Sequence, residues 1–142
     1  MNRIELKLCD TQGRLFEKSF DEGYDSESFI RSFMNSSVAE NLDSTYNRMQ
    51  WAGEEYLMEE LRSEFNFKKS SQPYAKEVLF WIGYIYRYWH LYTGESSKTI
   101  LRIAPVRTMR RNYMMFHTMA PEMAVEDLRE IYVQKQSEVE EE

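Results

Sequence analysis

The sequence predicts an α+β, mostly α-helical fold: an N-terminal β-hairpin followed by a bundle of about five or six helices. Three observations predict it. Ile4, Leu6 and Leu8 alternate with Glu5, Lys7 and Cys9, the period of a half-buried strand. Beyond Ser26, apolar residues recur at three- and four-residue spacing, the period of a helix. With 142 residues, 42% hydrophobic and 30% charged, the chain has the size and apolar content of one domain. The expected organisation is a single globular domain over 1–136, with the hairpin at 1–22 and a helical body at 25–136. An acidic tail occupies 137–142.

In the hairpin, Asp10-Thr11-Gln12-Gly13 supplies the turn, and Leu15-Phe16 through Phe20 returns. A lone hairpin is marginal, so helices must cover its apolar face. Glu22-Gly23-Tyr24-Asp25 breaks the chain, and Asp25 or Ser26 caps a helix carrying Phe29, Ile30 and Phe33. A helix over about 46–67 sets Trp51, Met58, Leu61 and Phe65 near one face, and Lys68–Pro73 is a polar loop. A long helix over about 74–92 ends at Gly94. Ser96 or Ser97 caps Lys98–Ala104, which Pro105 closes, and Val106 to about Phe116 forms the next helix. Pro121 starts the last helix, whose Ala124, Leu128, Ile131 and Tyr132 share a stripe. The acidic residues from Ser137 to Glu142 are expected to fray. There is no internal repeat and no Gly/Ser linker.

Composition excludes several classes. A single cysteine, Cys9, forbids an internal disulfide framework and a four-cysteine zinc site, and no metal or cofactor is expected. No apolar run approaches the roughly 20 residues of a membrane span, and no charged-then-apolar leader opens the residues given. The expectation is a cytoplasmic chain without a membrane partner. With 24 acidic against 18 basic residues the net charge is −6, so long nucleic acid is not an expected partner. At 15% aromatic with 9 methionines, bulky side chains are in surplus. They belong either to a core rich in large residues or to a partner surface, where Tyr, Trp, Arg and Met are enriched.

The helix around residue 83 is apolar on every side and should be the buried centre. Val78, Ile82, Ile85 and Trp89 line one side of it; Gly83, Arg87 and His90 line another. A glycine inside a helix costs about 1 kcal/mol relative to alanine, so close approach of a backbone or a ligand is expected at Gly83. A buried Arg87 needs an anion or several acceptors, supplied by a glutamate of the Trp51 helix or by another molecule. Between Lys98 and His117 stand five basic residues, Lys98, Arg102, Arg107, Arg110 and Arg111, and no acidic one. Arginine forks suit phosphates, carboxylates and acidic protein patches. These arginines either pair with the chain's own Glu54, Glu55, Glu59 and Glu60 or stay free to grip a partner. Candidate partner- or anion-binding residues are therefore Arg87, His90, Arg107, Arg110, Arg111, Tyr84 and Trp89, and a nucleotide or ADP-ribose pocket of Arg87, His90 and the tyrosines is one alternative.

No glycine-rich phosphate loop, nucleophile elbow or His-x-x-x-His pair is present, and the acidic pairs near residue 55 read as a solvated helix face. Arg111-Asn112-Tyr113-Met114-Met115-Phe116-His117 resembles the arginine–polar–histidine signature of the HEPN ribonucleases. That resemblance implies metal-independent RNA cleavage, with Arg111 and His117 as catalytic residues. Six positions along an ideal helix turn those two about 120° apart; Arg110 and His117, seven apart, align better.

A longer resemblance covers most of the chain. Trp81-Ile-Gly-Tyr-Ile-Tyr-Arg-Tyr-Trp-His90, Thr93-Gly-Glu-Ser-Ser-Lys98, Ile103-Ala-Pro105 and Phe116-His-Thr118 resemble an uncharacterised bacterial family. Gly23-Tyr-Asp-Ser26 and Gln50-Trp-Ala-Gly-Glu-Glu-Tyr56 do so as well. That family is encoded beside ADP-ribosyltransferase-like toxins. The resemblance implies a non-enzymatic, protein-binding component of a toxin–antitoxin or defence-type module, the neutralising or accessory partner of a toxin or effector. A homodimer is compatible with the same reading.

Overall fold

The structure, a computed structural model, describes residues 1–44 and 51–141, with side chains through residue 139. Among the described residues there are eight helices and no strand. They are α1 (Arg3–Asp21), α2 (Ser26–Met34), α3 (Ser37–Asp43), α4 (Glu54–Glu64), α5 (Lys76–Thr93), α6 (Ser97–Ile103), α7 (Val106–Phe116) and α8 (Pro121–Glu141). The fold is all-α, and the only β-type pairing among the described residues is an isolated antiparallel bridge between Tyr24 and Lys69.

The expected N-terminal hairpin over 1–22 is therefore wrong: these residues form α1. Its start is a capping box, in which the Glu5 amide donates to the Asn2 side chain at 2.8 Å and the Asn2 amide donates to Glu5 at 3.1 Å. Its buried residues Leu8, Gln12, Leu15, Phe16 and Ser19 recur at helical spacing. Ile4 and Leu6, which suggested a strand, are exposed. The supposed turn is helix interior as well. Asp10 pairs with Arg14 one turn on, at 2.7 Å. Gly13 is a site of close contact, where a Cβ would fall 2.7 Å from the Phe80 ring.

α1 and α5 run antiparallel through the centre. Lys76 at the start of α5 pairs with Asp21 at the end of α1, at 2.7 Å, while Gln12 meets Gly83 at mid-helix. α5 buries Leu79, Trp81, Ile82, Ile85, Tyr86 and Trp89. It stops at Gly94, whose φ of 81° suits glycine in the left-handed region. The remaining helices wrap this pair: α2 and α4 carry Phe29, Ile30, Phe33, Leu57, Met58 and Leu61 into one core with Leu15, Phe16 and Ile82. Phe16 anchors it, edge-on to Phe29 at 5.9 Å and to Phe33 at 5.3 Å.

Two other expectations change. The helix expected over 46–67 is α4, beginning at Glu54; Trp51 precedes it and is 75% exposed, and 46–50 lie outside the described residues. Gly53 sits at the N-cap, which separates Trp51 from the Met58–Leu61 face. At the other end, α8 continues to Glu141, so the acidic segment through residue 141 extends a helix. No helix among the described residues is long and apolar enough to cross a membrane.

Candidate functional site

Arg87 lies on the side of α5 that faces α1, α3 and α6, and it is buried. Its Nε donates to Gln12 Oε1 at 2.8 Å, Nη1 to Asp43 Oδ1 at 2.7 Å, and Nη2 to Ser97 Oγ at 3.3 Å. Gln12 Nε2 donates to the Gly83 carbonyl at 3.0 Å, closing the arrangement onto α5 itself. Asp43 also accepts from the Ser97 amide at 2.9 Å and the Ser97 hydroxyl at 2.8 Å. Burial lowers the pKa of Arg87, and the Asp43 carboxylate opposes that fall, so the guanidinium stays charged. The anion is thus internal, and it is Asp43 at the end of α3, not a glutamate of α4. The cluster ties α1, α3, α5 and α6 together with every buried side-chain polar atom satisfied among the described residues.

His90 borders the same cluster. Its Nδ1 lies 2.7 Å from the Glu95 carbonyl oxygen and 3.6 Å from Asp43 Oδ1. Trp89 is buried, and its indole N–H donates to Glu95 at 2.8 Å; Arg129 of α8 pairs with the same carboxylate. Tyr84 begins a ladder with Tyr88 and Tyr92, at ring separations of 6.4 and 6.1 Å. Tyr88 and Tyr92 donate to Glu122 and Glu126 of α8 at 3.0 and 2.8 Å. Arg87, His90 and Trp89 are therefore engaged by this chain's own groups, and the pocket expected from Arg87, His90 and the tyrosines lacks its anion grip. Cys9 is buried; desolvation pushes its thiol up to about 12, against the opposing field of Arg87, which leaves it protonated and inert at neutral pH.

α7 presents the opposite situation. Val106, Thr108, Met109 and Phe116 face the core. Arg107, Arg110, Arg111, Met114 and Met115 follow one another at three- and four-residue spacing around the outer face. Arg107 pairs with Glu27 of α2 at 3.1 Å, and Arg110 stacks over the Tyr74 ring at 4.3 Å. Arg111 makes no ion pair among the described residues, although it lines the same groove of about 420 Å³ with Glu27 and Tyr74. Met114 and Met115 are 78% and 73% exposed. Of the glutamates weighed as internal partners for these arginines, Glu59 pairs with Arg62 on α4 instead.

Convergence of Arg107, Arg110 and Arg111 with Arg87 and His90 requires that α5 and α7 pack together. They do pack, with Trp81 edge-on to Tyr113 at 5.8 Å. The arginines of α7 nevertheless point away from that contact, and Arg87 points to α3. Arg111 and His117 also separate: Arg111 borders the groove with Tyr74, whereas His117 borders another with Trp81 and Tyr113. His117 Nδ1 lies 2.8 Å from the Tyr113 carbonyl oxygen, and its ring stacks on Tyr113 at 4.3 Å. Residues missed from sequence are Gln12, Asp43 and Ser97. Only the helical spacing of Gln12 within the apolar stripe of α1 could have flagged any of them.

Comparison with protein-family models, with curated proteins and with solved structures gave no match.

Proposed function

We propose that this chain is a non-enzymatic protein-binding component, and that it docks an acidic partner through the outer face of α7. The observation that carries the reading is the pair Met114 and Met115, 78% and 73% exposed beside Arg111, a guanidinium with no ion pair among the described residues. Exposed apolar side chains beside free arginine match the composition of interface centres. Burying both methionines would contribute roughly 1.5–3 kcal/mol each, and arginine forks would select carboxylate-rich surfaces. The family resemblance of 81–98 and 103–118 supports a toxin or effector as the partner, in a cytoplasmic toxin–antitoxin or defence-type module. The internal engagement of Arg87, His90 and Trp89 favours the α7 face over the alternative pocket.

The test is affinity capture from the source cell with wild-type chain and with Arg110→Glu/Arg111→Glu. Arg107 is left intact because it already serves Glu27. The reading expects one dominant partner that the double variant no longer retains, with an unchanged far-UV circular dichroism spectrum. Equal retention by a folded double variant would refute it.

A further inference from the structure

We infer that a second groove, between α1, α5 and the turn joining α7 to α8, is a binding site for a small organic cation of the alkylammonium or guanidinium class. This goes beyond the docking reading and does not depend on it. The groove is largely open to solvent and holds about 650 Å³, within the size range of small-molecule sites. Phe80, Trp81 and Tyr84 of α5 form one wall, and Tyr113 and His117 form the other. Aromatic faces carry negative charge density and attract cations within about 6 Å, more strongly when the site is partly dry.

The charged lining has the matching sign. Three carboxylates, Asp10, Glu17 and Glu77, stand against one guanidinium, Arg14. Arg14 is held by Asp10 at 2.7 Å, so Glu17 and Glu77 are left without an ion pair among the described residues. The net negative lining disfavours an anionic ligand and favours a cation. The Tyr84 hydroxyl has no hydrogen-bond partner among the described residues and can accept from a ligand N–H.

The walls are fixed before any ligand arrives. A Cβ at position 13 would meet the Phe80 ring at 2.7 Å, so glycine there admits Phe80 against α1. On the other side, Trp81 meets Tyr113 edge-on at 5.8 Å and 74°, and Tyr113 stacks on His117 at 4.3 Å and 18°. Side chains already held by these contacts lose little conformational entropy on binding, which favours a compact ligand.

The test is titration of the full chain, followed by intrinsic tryptophan fluorescence and isothermal calorimetry, with choline, agmatine and the neutral choline isostere whose tert-butyl group replaces the trimethylammonium head. Saturable binding of choline or agmatine below about 10 mM is expected, with the isostere at least about tenfold weaker. Glu17→Gln/Glu77→Gln should weaken the cations and leave the isostere unchanged; Glu77 is exposed and Glu17 half-buried, and neither makes an ion pair among the described residues, so the fold should survive. Equal affinity for choline and its isostere would overturn the proposal. So would failure of both cations to saturate, or unchanged cation binding by the folded double variant. A short acetylated arginine peptide separates a free amine from a presented side chain: binding confined to the peptide overturns the small-molecule assignment. The Arg110→Glu/Arg111→Glu variant should bind choline and agmatine as the wild type does, which keeps the two proposals separable.

Discussion

Gly83 sits so close to α1 that a Cβ on it would lie 2.6 Å from the Gln12 carbonyl oxygen. The same glycine accepts a hydrogen bond from the Gln12 side chain at 3.0 Å through its own carbonyl. Two helices thereby meet backbone to backbone, and the long central pair can share one core. Gly83→Ala would gain about 1 kcal/mol of helix propensity, but overpacking typically costs about 1–3 kcal/mol and the obstructing atom is backbone. The expected outcome is net destabilisation and a lowered midpoint in urea denaturation.

Removing one partner of the Arg87–Asp43 pair should be worse than removing both. Asp43→Asn leaves a buried guanidinium uncompensated and is expected to cost about 3–5 kcal/mol. Arg87→Met with Asp43→Asn should recover a large part of that loss, because a methionine of similar length fills the space without a charge. Chemical denaturation of the two single variants and the double variant measures the coupling directly.

Glu27 gives the molecule one readable pH response. Its carboxyl is lowered below 4.5 first by the hydrogen bond from Tyr74 and then by that from Arg107. A lowered carboxyl stabilises the folded state above its unfolded value, and the contribution disappears as pH falls through the folded value. Glu27→Gln should therefore lower stability at pH 7 by no more than about 1 kcal/mol, since Arg107 is largely exposed. Thermal unfolding between neutral and acidic pH should show the two proteins converging once the carboxyl is protonated.

What could be read from the sequence follows a physical division. Gly94 as the end of the central helix, Asp25 as a cap, and Val106 to Phe116 as a helix were all legible, because caps and breakers act within a few residues. The hairpin was misread because six alternating residues fit strand and helix alike, and the deciding capping box pairs Glu5 with Asn2, which lies outside that window. The burial of Arg87 was expected from its apolar surroundings. Its partner Asp43 is 44 positions away on a seven-residue helix, and no local pattern marks such a pairing. The outward face of α7 was legible as a run of arginines, but not which of them Glu27 and Tyr74 would engage.

The central claim, that the outer face of α7 takes the partner, is tested most directly by methionine oxidation footprinting of the free chain and of the captured complex. In the free chain Met114 and Met115 should be oxidised first by peroxide, while Met58 and Met109, both buried, resist. The account predicts that partner binding protects Met114 and Met115 and leaves exposed Met123 of α8 reactive. Equal oxidation of Met114 and Met115 in the free and bound states would contradict it.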